Sequence, residues 1–219
     1  MKMKYFTVSL AMALAFITAG AGQDYTVSRN GKTIRLEVRA RVHAGLPGFI
    51  FMIDAVKPDD YSVSANRITV YKNDGKETRV QALEFEATET ADEEKLGFIV
   101  EDMNFDGYND IRIQVNNPAA PNNSYYCWVY DPAKGVFVED CALGGLISPA
   151  FDQAAKLVHS YERVSAAEYL SWTYRYVNGV LTLILEKKAT YDPGTGARVE
   201  TVKELVNGKW ITKTVKGGE

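Results

Sequence analysis

Histidine and cysteine are scarce in this chain of 219 residues: His43, His159, Cys127 and Cys141 are all it has. So small a set leaves a zinc site poorly supported. No G-x-S-x-G and no H-E-x-x-H occurs, and pairing the cysteines would remove any Cys/His dyad. Nothing in the sequence argues for chemistry of its own, so we do not expect an enzyme. A pair of carboxylates acting on a glycosidic bond leaves no linear signature, because it is defined by separation in space. Basic residues are not clustered enough to follow a phosphate backbone, which argues against nucleic acid.

Long apolar runs are missing too, apart from the amino terminus. There Lys2 and Lys4 precede an apolar stretch from Tyr5 to Ile17, which ends in small residues at 19–21. A basic start, a short apolar core and an A-x-A-like end are the marks of a secretory signal peptide, here 1–21. The run is too short to span a bilayer comfortably. We therefore expect an exported, periplasmic or secreted domain over 22–219, with no membrane span after cleavage. Without Lys2 and Lys4 the balance is 23 basic against 28 acidic residues, ordinary for a soluble exported domain.

In an oxidising compartment an even cysteine count favours a disulfide, here Cys127–Cys141. The intervening stretch reads as a hairpin. A loop at 133–135 with Gly135 left-handed places the two cysteines directly opposite. A loop beginning at Pro132 puts them slightly out of register.

Helix signals are as rare as turn signals are frequent. Alternating or β-branched runs recur from Tyr25 onward, separated by Asn30-Gly31, Asn73 to Gly75, Asn178-Gly179 and Asn207-Gly208. Residues 148–155 hold the nearest thing to a helix start, with Ser148 as cap and Pro149 in first position, worth one turn at most. Tyr130–Gly135 returns as Tyr191–Gly196 after 61 residues, about the length of a four-stranded unit. Either stacked antiparallel sheets or convergent turn chemistry accounts for the echo. The expected fold is all-β, with antiparallel sheets arranged as a partial β-propeller or propeller-like sandwich and little or no helix.

Residues 101–110 are the most informative stretch. Asp102, Asn104 and Asp106 lie two apart, Gly107 follows, and Asp110 closes the set. Alternating oxygen side chains ended by a glycine suit Ca²⁺, with the Tyr108 carbonyl as a further ligand. Ile113 stands where an EF-hand has its bidentate Glu, and both flanks read as strands. The expectation is strand, calcium loop (102–110), strand, with weak affinity of about 10⁻⁴–10⁻³ M. A metal-free Asp/Asn/Gly hairpin turn is the plainer alternative.

With those motifs, residues 100–110, 130–137, 148–152 and 174–183 together resemble a family of bacterial periplasmic proteins with FG-GAP-like calcium loops. One branch is an immunity protein that inhibits lysozyme-like effectors of a type IV secretion system. The resemblance covers somewhat under half the chain. It implies a calcium-dependent, β-propeller-like periplasmic protein whose partner is a lysozyme-like peptidoglycan hydrolase. The metal role falls on Asp102, Asn104, Asp106, Tyr108 and Asp110. Composition alone nominates Ser160, Tyr161 and Arg163, and the stretch 122–125, for partner contact. The alternative is an envelope glycan- or protein-binding module without inhibitory activity, its stacking surfaces drawn from 13 tyrosines and Trp128, Trp172 and Trp210.

Overall fold

The computed structural model describes residues 23–118, 121–192 and 194–216, so the expected signal peptide lies outside it. The described residues form three open antiparallel sheets and one four-residue helix. The first sheet holds β1 (Asp24–Asn30), β2 (Thr33–Ala40), β3 (Gly48–Val56), β4 (Ser64–Asn73) and β5 (Thr78–Glu84). The second holds β6 (Phe98–Glu101), β7 (Asp110–Gln114), β8 (Tyr125–Asp131) and β9 (Val136–Glu139). After α1 (Cys141–Gly144) comes the third: β10 (Ala150–Asp152), β11 (Leu157–Arg163), β12 (Glu168–Val177), β13 (Val180–Tyr191), β14 (Arg198–Val206) and β15 (Lys209–Lys216). Within each sheet the spatial order is the chain order, so every strand pairs with its sequence neighbour.

Two-residue turns close three of these hairpins. Asn178 and Asn207 have φ of 51°, and Gly179 and Gly208 have 79° and 75°. Those values belong to a turn whose twist matches the flanking strands, and Asn and Gly are among the few residues that enter it cheaply. The first turn sits one residue later than the sequence suggests. Asn30 pairs with Thr33, leaving Gly31-Lys32 as the loop.

The middle sheet is covered on both faces. Its Phe98, Ile111, Ile113, Trp128 and Phe137 pack against Leu36, Phe49, Phe51, Ile53, Ile68 and Val70 of the first sheet. Its other face, with Met103 from the loop before β7, meets Leu143, Leu146, Phe151 and Val158. Strand β7 is consequently buried on both sides: Ile111 and Ile113 face the first sheet, and Arg112 faces the third. Arg112 lies over the Tyr125 and Phe151 rings, donates to the Pro149 carbonyl at 3.2 Å and pairs with Glu101 at 2.7 Å. The Gln81 side chain exchanges two hydrogen bonds with the Phe137 backbone, tying β5 to the edge strand β9. From Tyr161 to Val215 no described residue is fully buried, so most of the third sheet projects beyond the core.

Two expectations are corrected, and one alternative left open by the sequence is decided. Both cysteines are free, Cys127 buried and Cys141 exposed at the start of α1. Asp131 pairs with Val136, so the loop begins at Pro132, and Asp140 rather than Cys141 is bonded to Cys127. Burial pushes the Cys127 thiol up to about 12, keeping it protonated. Ser148 caps no helix. It is left-handed (φ 45°) and its hydroxyl donates to the Pro121 carbonyl, while Ala150–Asp152 form β10. The helical turn lies earlier, where Asp140 accepts the Leu143 N–H at 2.9 Å. Finally, the echo of Tyr130–Gly135 at Tyr191–Gly196 is one turn used twice. Gly135 and Gly196 share φ of 70°, and each donates to the carbonyl of the residue four before it, at 2.7 Å. One joins the third and fourth strands of its sheet, the other the fourth and fifth.

Candidate metal loop and the outer face of the third sheet

Glu101 pairs with Asp110, so the whole candidate loop hangs from a single hairpin. Inside it the side chains fold back on the backbone. Asp102 accepts the N–H groups of Asp106 and Gly107 at 3.2 and 2.9 Å, and Asn104 accepts that of Asp106 at 3.1 Å. Asp106 takes the Tyr108 N–H at 2.8 Å and the Asn104 amide at 2.9 Å. Gly107 has φ of 90°, a conformation in which any side chain is strained.

Asp110 is different in kind. It is fully buried, and its two oxygens accept the N–H groups of Met103 at 2.8 Å and Tyr130 at 2.9 Å. Burial pushes its carboxyl up to about 7, the two backbone bonds pull it down, and the nearby charges of Asp106 and Asp102 raise it again. Asp102 is raised as well, by burial first and by Asp106 after that. The loop thus carries acids that resist ionising together.

The loop also touches all three sheets. Met103 is buried in the cluster between the second and third. Phe105 meets the edge of Tyr176 at 6.3 Å. Tyr108 is stacked between His43 at 4.5 Å and Tyr130 at 5.6 Å, and Asn109 bonds to the carbonyls of Val42 and Arg41.

The donor set fits a hard cation in its chemistry: carboxylate, amide and carbonyl oxygens alone. In this conformation the loop closes on its own N–H groups. Among the described residues no three His, Cys, Asp or Glu side chains converge as a metal-holding group.

The residues nominated for partner contact separate by strand alternation. Ser160 is buried and donates to the Ile147 carbonyl at 2.7 Å, so it is structural. Tyr161 and Arg163 point the other way, outward. Tyr161 is 39% exposed, and the Arg163 backbone is clasped on both sides by the Asn122 side chain. Asn123 and Ser148 brace one another, so the 122–125 stretch is scaffold. Register adds two residues that sequence reasoning missed: Tyr169 stacks on Tyr161 at 6.1 Å, and Tyr191 meets Tyr169 edge-on at 6.1 Å.

No family model matches this chain, and no curated protein matches it. Among solved structures it is similar to a Xanthomonas type IV secretion system related protein, with a TM-score of 0.63 over 88% of this chain and 99% of that one. The two chains share a fold. Their sequences are 16% identical, so the likeness is one of architecture. Among the described residues no helix is long and apolar enough to cross a membrane.

Proposed function

We propose that this chain is an exported β scaffold, braced by calcium, that binds and inhibits a lysozyme-like cell-wall hydrolase. The observation that carries the reading is the shared architecture with a type IV secretion system related protein across nearly all of both chains. The secretory signature at 1–21 and the ordered motifs at 100–110, 130–137, 148–152 and 174–183 support it. In this reading the three consecutive meanders are successive blades of a partial propeller, and the protein works in the periplasm.

Asp102, Asn104, Asp106 and Asp110, with the Tyr108 carbonyl, would hold the ion. Its positive charge would favour the ionised forms of Asp102 and Asp110, which burial first, and repulsion among these acids after it, disfavours. An inhibitor needs no reacting groups of its own. It needs a rigid surface that fills a cleft, and a loop joined to three sheets supplies the rigidity.

A turbidity assay tests the proposal. The mature protein, added with calcium to cell-wall substrate and lysozymes of several classes, is expected to slow lysis by at least one of them. Adding a chelator should restore the rate. Unchanged lysis by every class, with calcium present, would overturn it.

A further inference from the structure

Tyr161, Tyr169 and Tyr191 belong to neither buried cluster. They lie in a row on the face of the third sheet turned away from the middle one, and Tyr161 and Tyr191 are each 39% exposed. Here Ser171 stands opposite Tyr161, and Ala189 opposite Tyr169. These two small residues leave a hollow of about 100 Å³ among Tyr161, Tyr169, Lys187, Arg198 and Glu200. A larger hollow on the first sheet, about 300 Å³, is lined by Ser28, Arg29, Asn30, Thr33, Arg35 and Asp54 and contains no ring. The smaller one is the one with stacking surface.

Its charges are uneven. Arg198 is held by Glu200 at 2.6 Å, and the sheet's other ion pairs are Lys188–Glu168 and Lys203–Glu186. Among the described residues, Lys187 and Arg163 are in no ion pair. Lys187 lines the hollow, and the Arg163 guanidinium sits 5.8 Å from the Tyr169 ring centre. Flat rings beside two uncompensated cations, with the Ser171 hydroxyl and the Glu200 carboxylate at hand, match one kind of ligand. The C–H face of a pyranose would lie against the negative face of an aromatic ring, its hydroxyls would bond to Ser171 and Glu200, and a carboxylate on the sugar would meet Lys187 or Arg163.

We propose that this hollow binds a carboxylate-bearing saccharide of a glycan strand, with Tyr161 and Tyr169 stacking and Lys187 selecting the acid. This assigns Tyr161 and Arg163 a saccharide instead of a protein partner, and it stands apart from the inhibitor reading. The test is calorimetric titration of the mature protein with two tetrasaccharides. One alternates N-acetylglucosamine with N-acetylmuramic acid and carries no peptide, and the other is neutral chitotetraose.

The acidic sugar should bind roughly tenfold more tightly, the worth of one charge-assisted hydrogen bond. Lys187→Gln should bring the two sugars level, and Tyr169→Ala should abolish binding of both. Tyr161→Ala, at a more exposed position, is the second variant should Tyr169→Ala fold poorly, and it too should lose binding. Absence of binding by either sugar overturns the proposal, as does wild-type binding by Tyr161→Ala. If no sugar binds yet Tyr169→Ala loses hydrolase inhibition, the face is a protein-docking surface. The saccharide proposal then fails while the inhibitor reading stands.

Discussion

The carboxylate of Asp110 on β7 accepts the backbone N–H of Tyr130 on β8 at 2.9 Å, while its second oxygen accepts the Met103 N–H at 2.8 Å. One buried acid therefore joins the loop's beginning to its end and to the neighbouring strand. The sequence pattern points to a metal ligand at this position, and in the fold Asp110 is the bracket on which the loop hangs.

That bracket makes stability depend on pH. Asp110 is raised to about 7 in the folded chain, from 3.8 for an ordinary aspartate. The folded state therefore binds more protons between those values, so this group favours folding fully below about 3.8 and loses that contribution as pH rises through 7. The surface acids Asp59, Asp74 and Asp192 and the half-buried Asp131 are all lowered, so they act only below that window. With chelator present, the melting temperature should be higher at pH 5 than at pH 8, and Asp110→Asn should shrink the difference, leaving the part due to Asp102, which is raised as well. A wild-type profile that rises from pH 5 to pH 8 would contradict this.

Calcium should act on the same loop in the opposite sense. At a dissociation constant in the range expected for such modules, 10 mM calcium adds about 1.4–2.7 kcal/mol. Differential scanning calorimetry should show a higher melting temperature with calcium than with chelator. Asp106→Ala should melt alike in both. Coincident wild-type curves would remove calcium from the account.

The layer between the first two sheets rests on aromatic packing. Phe51 is fully buried and lies 5.3 Å from Phe98 and 5.5 Å from Phe137, ring centre to ring centre. Phe51→Ala should cost about 3–5 kcal/mol in denaturant unfolding. Val180, 64% exposed in a turn-flanking position, should tolerate alanine within about 0.5 kcal/mol.

The two thiols should behave differently. A thiol reagent is expected to label Cys141 in the native protein and Cys127 only after unfolding, because Cys127 is buried and protonated. Cys141→Ser should leave the melting temperature unchanged. A mass two units low in the purified protein, shifted on reduction, would show a bridge instead.

What the sequence determined by itself was local. Alternating runs, Asn-Gly turns and the oxygen-rich loop with its glycine specify strands, hairpins and a hairpin loop, because each depends on φ preferences and period-2 patterning within about ten residues. The tertiary structure decided everything that depends on which surfaces meet. A hairpin loop that begins one residue early, at Pro132, places Asp140 instead of Cys141 beside Cys127. Ser160 and Tyr161 are neighbours in sequence, yet one is buried and the other faces outward. The row of Tyr161, Tyr169 and Tyr191 exists only through the pairing of three strands. Such positions are set by registers and by packing between layers, and those contacts join residues far apart in the chain.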